Sequence, residues 1–380
     1  MDENTLRFLL ADALTEEPPI GPVARNALHA GIRIRRRRTT GTVGGVAVIA
    51  AIVGLIPVVG GLPFSGPAPV SATGHGIGGH NDHPVELAFS PNGKILATAD
   101  SDGTARLWSV ATQRQIGAPI KLPFQVHINA VAYSPDGKVL ATGDADGQVR
   151  LWNIATRRQV RSAIQASTGA ANGGVLGVAF SPDGQTVATV SADGTAGLWD
   201  VVNRNGIGRT WTIGGGPVLA VAFSPNGKLL LTTGSNFTAR LWNVSSLRPV
   251  GKPIGRAGHD AVNAAVFSPD GNLIGTGGIG RGQDRLWSVA TQNQVGKTMQ
   301  TGSSGSYGLA FTPDSKVLVT ANTDGTIEQW SVATSLRVRH SVIRPASHPQ
   351  FEMVVISPDG TLLATTQHGG DAHLWVLSTA

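Results

Sequence analysis

The pentapeptide Phe89-Ser90-Pro91-Asn92-Gly93, with Trp108 eighteen residues beyond its serine, is one of seven near-copies in this chain of 380 residues. The others are Tyr133-Ser134-Pro135-Asp136-Gly137, Phe180-Ser181-Pro182-Asp183-Gly184, Phe223-Ser224-Pro225-Asn226-Gly227, Phe267-Ser268-Pro269-Asp270-Gly271, Phe311-Thr312-Pro313-Asp314-Ser315 and Ile356-Ser357-Pro358-Asp359-Gly360. Each is followed at the same distance, give or take one residue, by its own tryptophan: Trp152, Trp199, Trp242, Trp287, Trp330 and Trp375. In such a phrase Pro presets φ at the first turn position and Gly accepts the positive φ that closes the turn, so it reverses the chain between two apolar runs.

Working outward from the first copy, Pro84 to Phe89 reads as an apolar strand and Ile95 to Ala99 as its return. Ser101-Asp102-Gly103 marks a second tight turn, since Asp-Gly is a strong hairpin signal. Thr104 to Trp108 then reads as a third strand and Arg114 to Ile120 as a fourth. The tryptophans recur every 43–47 residues. A period near this value with four strands per unit is the signature of propeller blades, each of which buries its apolar faces on its neighbours. The expected fold is all-β, a seven-bladed propeller. The 50 glycines and 22 prolines fit a chain with that many turns.

On these residues the region from about 68 to 380 resembles the WD40 family. The resemblance has departures. The Trp-Asp pair occurs only at Trp199-Asp200, and the family's Gly-His pair is matched at Gly79-His80 and Gly258-His259. In the family that His joins a buried hydrogen-bond set with Ser or Thr, the turn Asp and the Trp. Most units here lack the residues to complete it, so stability is expected to rest on apolar packing and on the tryptophans that fill the gaps between blades. The chain stops five residues after Trp375, so the last blade is one strand short. The missing strand is expected from about Ala68 to Thr73, closing the ring without a free edge.

Three segments follow: residues 1–38, a cytoplasmic tail; residues 39–64, a transmembrane helix; and residues 65–380, the propeller. Residues 39–64 contain no Asp, Glu, Lys or Arg. Val43 to Phe64 would span about 33 Å as a helix, against a hydrocarbon core of about 30 Å. Arg33-Ile34-Arg35-Arg36-Arg37-Arg38 precedes it, and no Lys or Arg follows until Lys94. Cationic flanks stay on the cytoplasmic side, which predicts a signal-anchor with the propeller extracytoplasmic. Val70-Ser71-Ala72 loosely resembles a cleavage site, but cutting there would remove the closing strand, and the segment before the apolar run is long for a signal peptide. In the tail, Leu6, Leu9, Leu10 and Leu14 fall at helical spacing, either as a solvated stretch or as a docking segment for a cytoplasmic partner.

The formal net charge is +6 and no cysteine is present. Disulfides, zinc-thiolate sites and a cysteine nucleophile are therefore excluded. No basic stripe stands out along the chain, so no nucleic-acid partner is expected. His75, His80, His83 and Asp82 lie close in sequence but lack the fixed spacing of a metal site, so no metal or other cofactor is expected. The glycine-rich stretch 275–282 lacks the Gly-Lys-Ser/Thr ending of a phosphate loop.

Residues shared by the copies read as architecture: the seven tryptophans, Arg106, Arg150, Arg240 and Arg285 two places before theirs, and the turn acids Asp102, Asp146, Asp193 and Asp324. Function is expected where copies differ. The odd residues on one loop face are Phe124, His127, Trp211, Phe237, Arg281, His348, Phe351 and His368, and aromatics and Arg are the types that anchor partners. The leading expectation is a membrane-anchored scaffold or sensor, not an enzyme, binding a protein or peptide there. The alternative is a propeller enzyme of lactonase or hydrolase type with a ligand or metal in its channel, although strands such as Val175 to Phe180 offer it only apolar side chains.

Overall fold

The computed structural model describes residues 75–77, 84–123, 126–160, 162–167, 174–201, 206–255, 262–278, 282–301, 305–338, 351–367 and 372–377. The expected tail, 1–38, and apolar segment, 39–64, lie outside them. Among the described residues no helix is long and apolar enough to cross a membrane.

The alternation of apolar runs and tight turns folds as strands throughout. β1 (His75–Ile77) comes first. Blade one follows as β2 (Pro84–Phe89), β3 (Ile95–Asp100), β4 (Thr104–Ser109) and β5 (Ile120–Lys121). Blade two is β6 (Ile128–Tyr133), β7 (Val139–Asp144), β8 (Gln148–Asn153) and β9 (Ile164–Gln165). Blade three is β10 (Val175–Phe180), β11 (Thr186–Ser191), β12 (Thr195–Asp200) and β13 (Gly206–Thr212). Blade four is β14 (Val218–Phe223), β15 (Leu229–Gly234), β16 (Ala239–Asn243) and β17 (Pro249–Ile254). Blade five is β18 (Val262–Phe267), β19 (Leu273–Gly278), β20 (Gln283–Ser288) and β21 (Gln294–Gln300). Blade six has three described strands, β22 (Ser306–Phe311), β23 (Val317–Asn322) and β24 (Ile327–Ser331), and blade seven adds β25 (Phe351–Ile356), β26 (Leu362–Gln367) and β27 (Ala372–Val376).

Each blade is an antiparallel sheet in chain order, and the first strands touch in the cycle β2, β6, β10, β14, β18, β22, β25 and back to β2. That cycle is a closed seven-bladed propeller. Blade seven takes its fourth strand from the start of the domain: β1 pairs with β27, His75 opposite Leu374 and Ile77 opposite Ala372. The closing strand thus exists, but a few residues later than the expected Ala68 to Thr73, which lie outside the described residues.

The core is divided among the seams. Among the described residues seven buried apolar clusters each draw on two neighbouring blades, and each holds, or has packed against it, one repeat tryptophan turned toward the preceding blade. Trp108, for example, packs with Met353 and Leu374 of blade seven, and Trp152 with Leu107 and Ile120 of blade one. Polar latches cross the seams as well. The fully buried Glu86 accepts the N–H of Val131 at 3.1 Å, and Asn129 donates to the carbonyl of Val175 at 3.0 Å.

The sequence reading of the hydrogen-bond set needs correction. In all seven blades the indole N–H donates to a threonine on the preceding strand: Trp108 to Thr98 (3.0 Å), Trp152 to Thr142 (2.9 Å), Trp199 to Thr189 (2.9 Å), Trp242 to Thr232 (2.9 Å), Trp287 to Thr276 (2.8 Å), Trp330 to Thr320 (3.3 Å) and Trp375 to Thr365 (2.9 Å). The tryptophan end of the set is therefore kept everywhere, with or without a histidine. Removing one acceptor strands a buried N–H, which costs about 1–3 kcal/mol, whereas removing both polar partners costs less. Thr142→Val is accordingly expected to lower unfolding free energy by about 1–3 kcal/mol in urea. In Trp152→Phe the same second substitution should have little further effect; an equal cost in both backgrounds would contradict the bond's role.

Candidate interaction face

The strands place the loops on two opposite edges of the ring. On one edge lie the Ser-Pro-Asx-Gly turns between first and second strands, together with the turns that follow the third strands. They are joined by backbone bonds such as Val110 N–H to Lys94 O (3.0 Å) and Ile154 N–H to Lys138 O (2.9 Å). In these turns the Ser or Thr hydroxyl donates to the Asp or Asn two residues on, as Ser134 does to Asp136 at 2.6 Å, which with the backbone N–H of Lys138 holds that carboxyl below the usual range. Neighbouring turns interlock: a side chain at Gly137, where φ is +69°, would meet the ring of Pro91 in the preceding blade.

On the other edge lie the turns between second and third strands and the loops entering each blade, joined by bonds such as Ala145 N–H to His127 O (3.0 Å) and Ser235 N–H to Pro217 O (2.8 Å). This is the edge that the sequence singled out. His127 sits there half-buried at the start of blade two, its Nδ1 buried without a hydrogen-bond partner. Phe237 occupies the turn of blade four at the place where Gly103, Gly147, Gly194 and Gly325 stand in other blades, and it holds φ at +60°. A bulky residue in this left-handed region is strained by about 1–3 kcal/mol, and such strain gathers at functional positions. The carbonyl of Phe237 accepts the N–H of Val262 at 2.8 Å, which pins the turn to the next blade. Gly214, Gly215 and Gly216, all at positive φ, wrap the same turn, with Ser235 Oγ donating to Gly215 O at 3.2 Å.

Trp211, on β13, lies at the seam of blades three and four. It is half-buried, its ring centroid 6.1 Å from that of Trp242, and its indole N–H is buried with no partner. It thus fills a gap and carries an unused donor. Phe351 is a correction. It is 1% exposed, stands in the first strand of blade seven and meets Trp375 edge-on at 6.4 Å, so it is core and offers nothing to a partner. Phe124, Arg281, His348 and His368 lie outside the described residues. Among the described residues no group of three or more His, Cys, Asp or Glu side chains is placed to hold a metal ion.

Four of the repeat tryptophans have an arginine two places before them, and each of these arginines is engaged within its own blade. Arg150 is buried and paired with the buried Asp144, Arg106 pairs with Asp102 at 3.3 Å, and Arg240 lies 5.4 Å over the Trp242 ring. Blade six inverts the charge at this position, with Glu328 bonded to Arg337 at 2.7 Å.

Repeats of the WD domain, G-beta repeat family match residues 72–109, 119–153, 163–200, 209–243, 251–288 and 295–331, more than half of the chain. The chain belongs to the WD40 family. Each matched WD40 repeat starts in the outer strand of one blade and ends in the third strand of the next, so the repeat is offset from the blade by one strand and the N-terminal repeat supplies the closing strand. Blade seven lies beyond the matched ranges, yet its strands pair like the rest. Protein LST8 homolog from Drosophila pseudoobscura pseudoobscura is 33% identical over 122 residues, 31% of this chain and 38% of that protein. The chain therefore aligns with well under two thirds of that relative.

Sequence reasoning missed one buried cluster at the seam of blades five and six. Asp284 replaces an apolar residue of the third strand and is fully buried. It accepts the N–H of Gly278 at 3.1 Å and lies 2.7 Å from Ser306 Oγ, which is itself 2.8 Å from Asn322 Oδ1. The Asn322 amide nitrogen is engaged by Thr326 and Glu328, so Oδ1 faces the serine as an acceptor. Ser306 has one hydroxyl proton for two oxygens. If it goes to Asn322, the second short contact needs a proton from Asp284. Burial accordingly pushes that carboxyl up to about 7, with Ser306 and Gly278 opposing and Glu328 adding to the rise. The folded state thus keeps a proton that the unfolded chain releases near pH 4. Stability from this group is full below pH 4 and is lost as pH climbs through about 7. Urea midpoints of Asp284→Asn should lack that decline, a difference on the order of 3 kcal/mol across the interval; parallel profiles for the two proteins would refute a neutral Asp284.

Proposed function

We propose that this WD40 propeller is an interaction module and not an enzyme, and that it holds a protein or peptide partner over blades three and four on the edge carrying Phe237. The observation that carries the reading is the Ser235-Asn236-Phe237 turn. A strained aromatic stands where four other blades use Gly, beside a triple-glycine loop. Such a spot supplies apolar area and little backbone bulk, which is what an extended peptide needs from a rigid surface. Asn236→Asp with Phe237→Gly restores the turn of the other blades and should leave stability within about 1 kcal/mol, because relieved strain offsets lost packing. Proximity labelling in cells should lose its specific partners in this double variant and keep them when Lys121 is changed to Ser; an unchanged partner list would remove this edge from consideration.

We also propose that residues 39–64 anchor the module in a membrane with the propeller extracytoplasmic. The uncharged run and the arginines before it support this orientation. Protease added to intact cells should then digest the propeller while sparing the epitope in 1–38. Digestion only after lysis would reverse the orientation.

A further inference from the structure

The charges on the turns of blades one and two separate by edge. On the edge of the Ser-Pro-Asx-Gly turns, Lys94, Arg114, Lys138 and Arg158 are exposed and Arg157 is half-buried. The single acid among the described residues of those turns is Asp136, 3.8 Å from Lys138, because blade one carries Asn92 at the same place. On the opposite edge of the same two blades Asp102 is paired with Arg106 at 3.3 Å, and among the described residues the exposed charges are Asp146 and one cation, Lys121. Along the chain these cations stand in separate turns up to 64 residues apart, from Lys94 to Arg158, which is why no stripe is visible; the blade period gathers them.

The route of the chain bears on the same edge. β27 runs from the Phe237-type edge toward the Ser-Pro-Asx-Gly edge, where Leu377 N–H reaches Thr361 O at 2.7 Å. Antiparallel pairing therefore makes β1 start on the cationic edge. The chain that precedes His75 arrives there, on blade seven, beside blade one. Residues 65–74 carry no Asp, Glu, Lys or Arg and number ten. Ten residues span at most about 35 Å when fully extended. The apolar run 39–64 is thus tethered on a short leash to the edge that bears the cations.

We infer that the Ser-Pro-Asx-Gly edge of blades one and two rests on an anionic lipid surface. This inference rests on the reading that residues 39–64 cross a membrane. Lys and Arg near a surface of acidic headgroups are attracted across roughly a Debye length, a range that the leash keeps within reach. The opposite edge, with Phe237 and His127, then faces away from the bilayer and stays open to partners.

The test uses the full chain, floated with vesicles of phosphatidylcholine with or without phosphatidylglycerol and labelled with a membrane-impermeant amine reagent. Flotation with phosphatidylcholine alone reads the anchor, and site-by-site labelling reads the edge. Labelling of Lys94 and Lys138 should fall about ten-fold on the anionic vesicles and recover in high salt, with Lys121 unchanged. Arg114→Glu with Arg158→Glu, two exposed changes, should abolish that protection while flotation persists. Equal labelling on both vesicle types overturns the inference, as does protection given by an added nucleic acid and not by phosphatidylglycerol. Failure to float on phosphatidylcholine defeats the anchor instead, and protection by the anionic vesicles still decides the edge.

Discussion

Every seam of this ring depends on one bond, the indole N–H of a tryptophan donated to a threonine on the neighbouring strand of its own blade. An indole buries a large apolar surface but brings one donor that water can no longer serve. Thr98 pairs across the sheet with Arg106, and Leu96 with Trp108, so donor and acceptor sit diagonally on one face of the blade. Satisfying the N–H within the blade fixes the ring's direction, and the ring's body is left to plug the gap to the preceding blade. A blade thereby carries its own half of each seam. Repetition around seven units closes the ring, and β1 removes the last edge.

Much of this was legible because a repeat exposes architecture by recurrence. The turn phrase, the tryptophan spacing and the short last blade gave blade number and closure. What escaped had physical reasons. The closing strand has three described residues and no alternating pattern, so its position could be bounded but not fixed. The threonines ten or eleven residues before each tryptophan stand in every copy, but the bond they accept needs no histidine, so the Gly-His pair does not mark it. Phe351 looked like a loop aromatic because residues 339–350 carry no repeat signal. Counting five residues back from Ile356, as from Phe311 to Ser306, places it on a first strand.

Asp284 shows a different limit. Its column in the third strands reads Ala105, Val149, Ala196, Ala239, Ile327 and Ala372 in the other blades. An acid there is visibly odd once the blades are aligned. Its proton is not visible, because it depends on Ser306 and Asn322, which come from the next blade and approach only when the ring closes. The consequence is mechanical: the seam of blades five and six is held partly by a buried carboxyl whose protonation changes as pH climbs through about 7, so that seam responds to pH.

Self-contained seams also explain how the edges could diverge. A turn residue that costs about 1–3 kcal/mol of backbone strain persists only where surrounding structure over-determines it. At Phe237 that support is visible: its carbonyl is held by Val262 of the next blade and its turn is wrapped by Gly214 to Gly216. The seven tryptophan bonds, at about 1 kcal/mol each, outweigh a single strained turn. The charged turns on the other edge answer to the same logic. Lys94, Arg114, Lys138 and Arg158 are exposed side chains on turns whose geometry is fixed by Ser, Pro and Gly. Their charge is therefore free of folding constraint, and what it does is decided by whatever the edge faces.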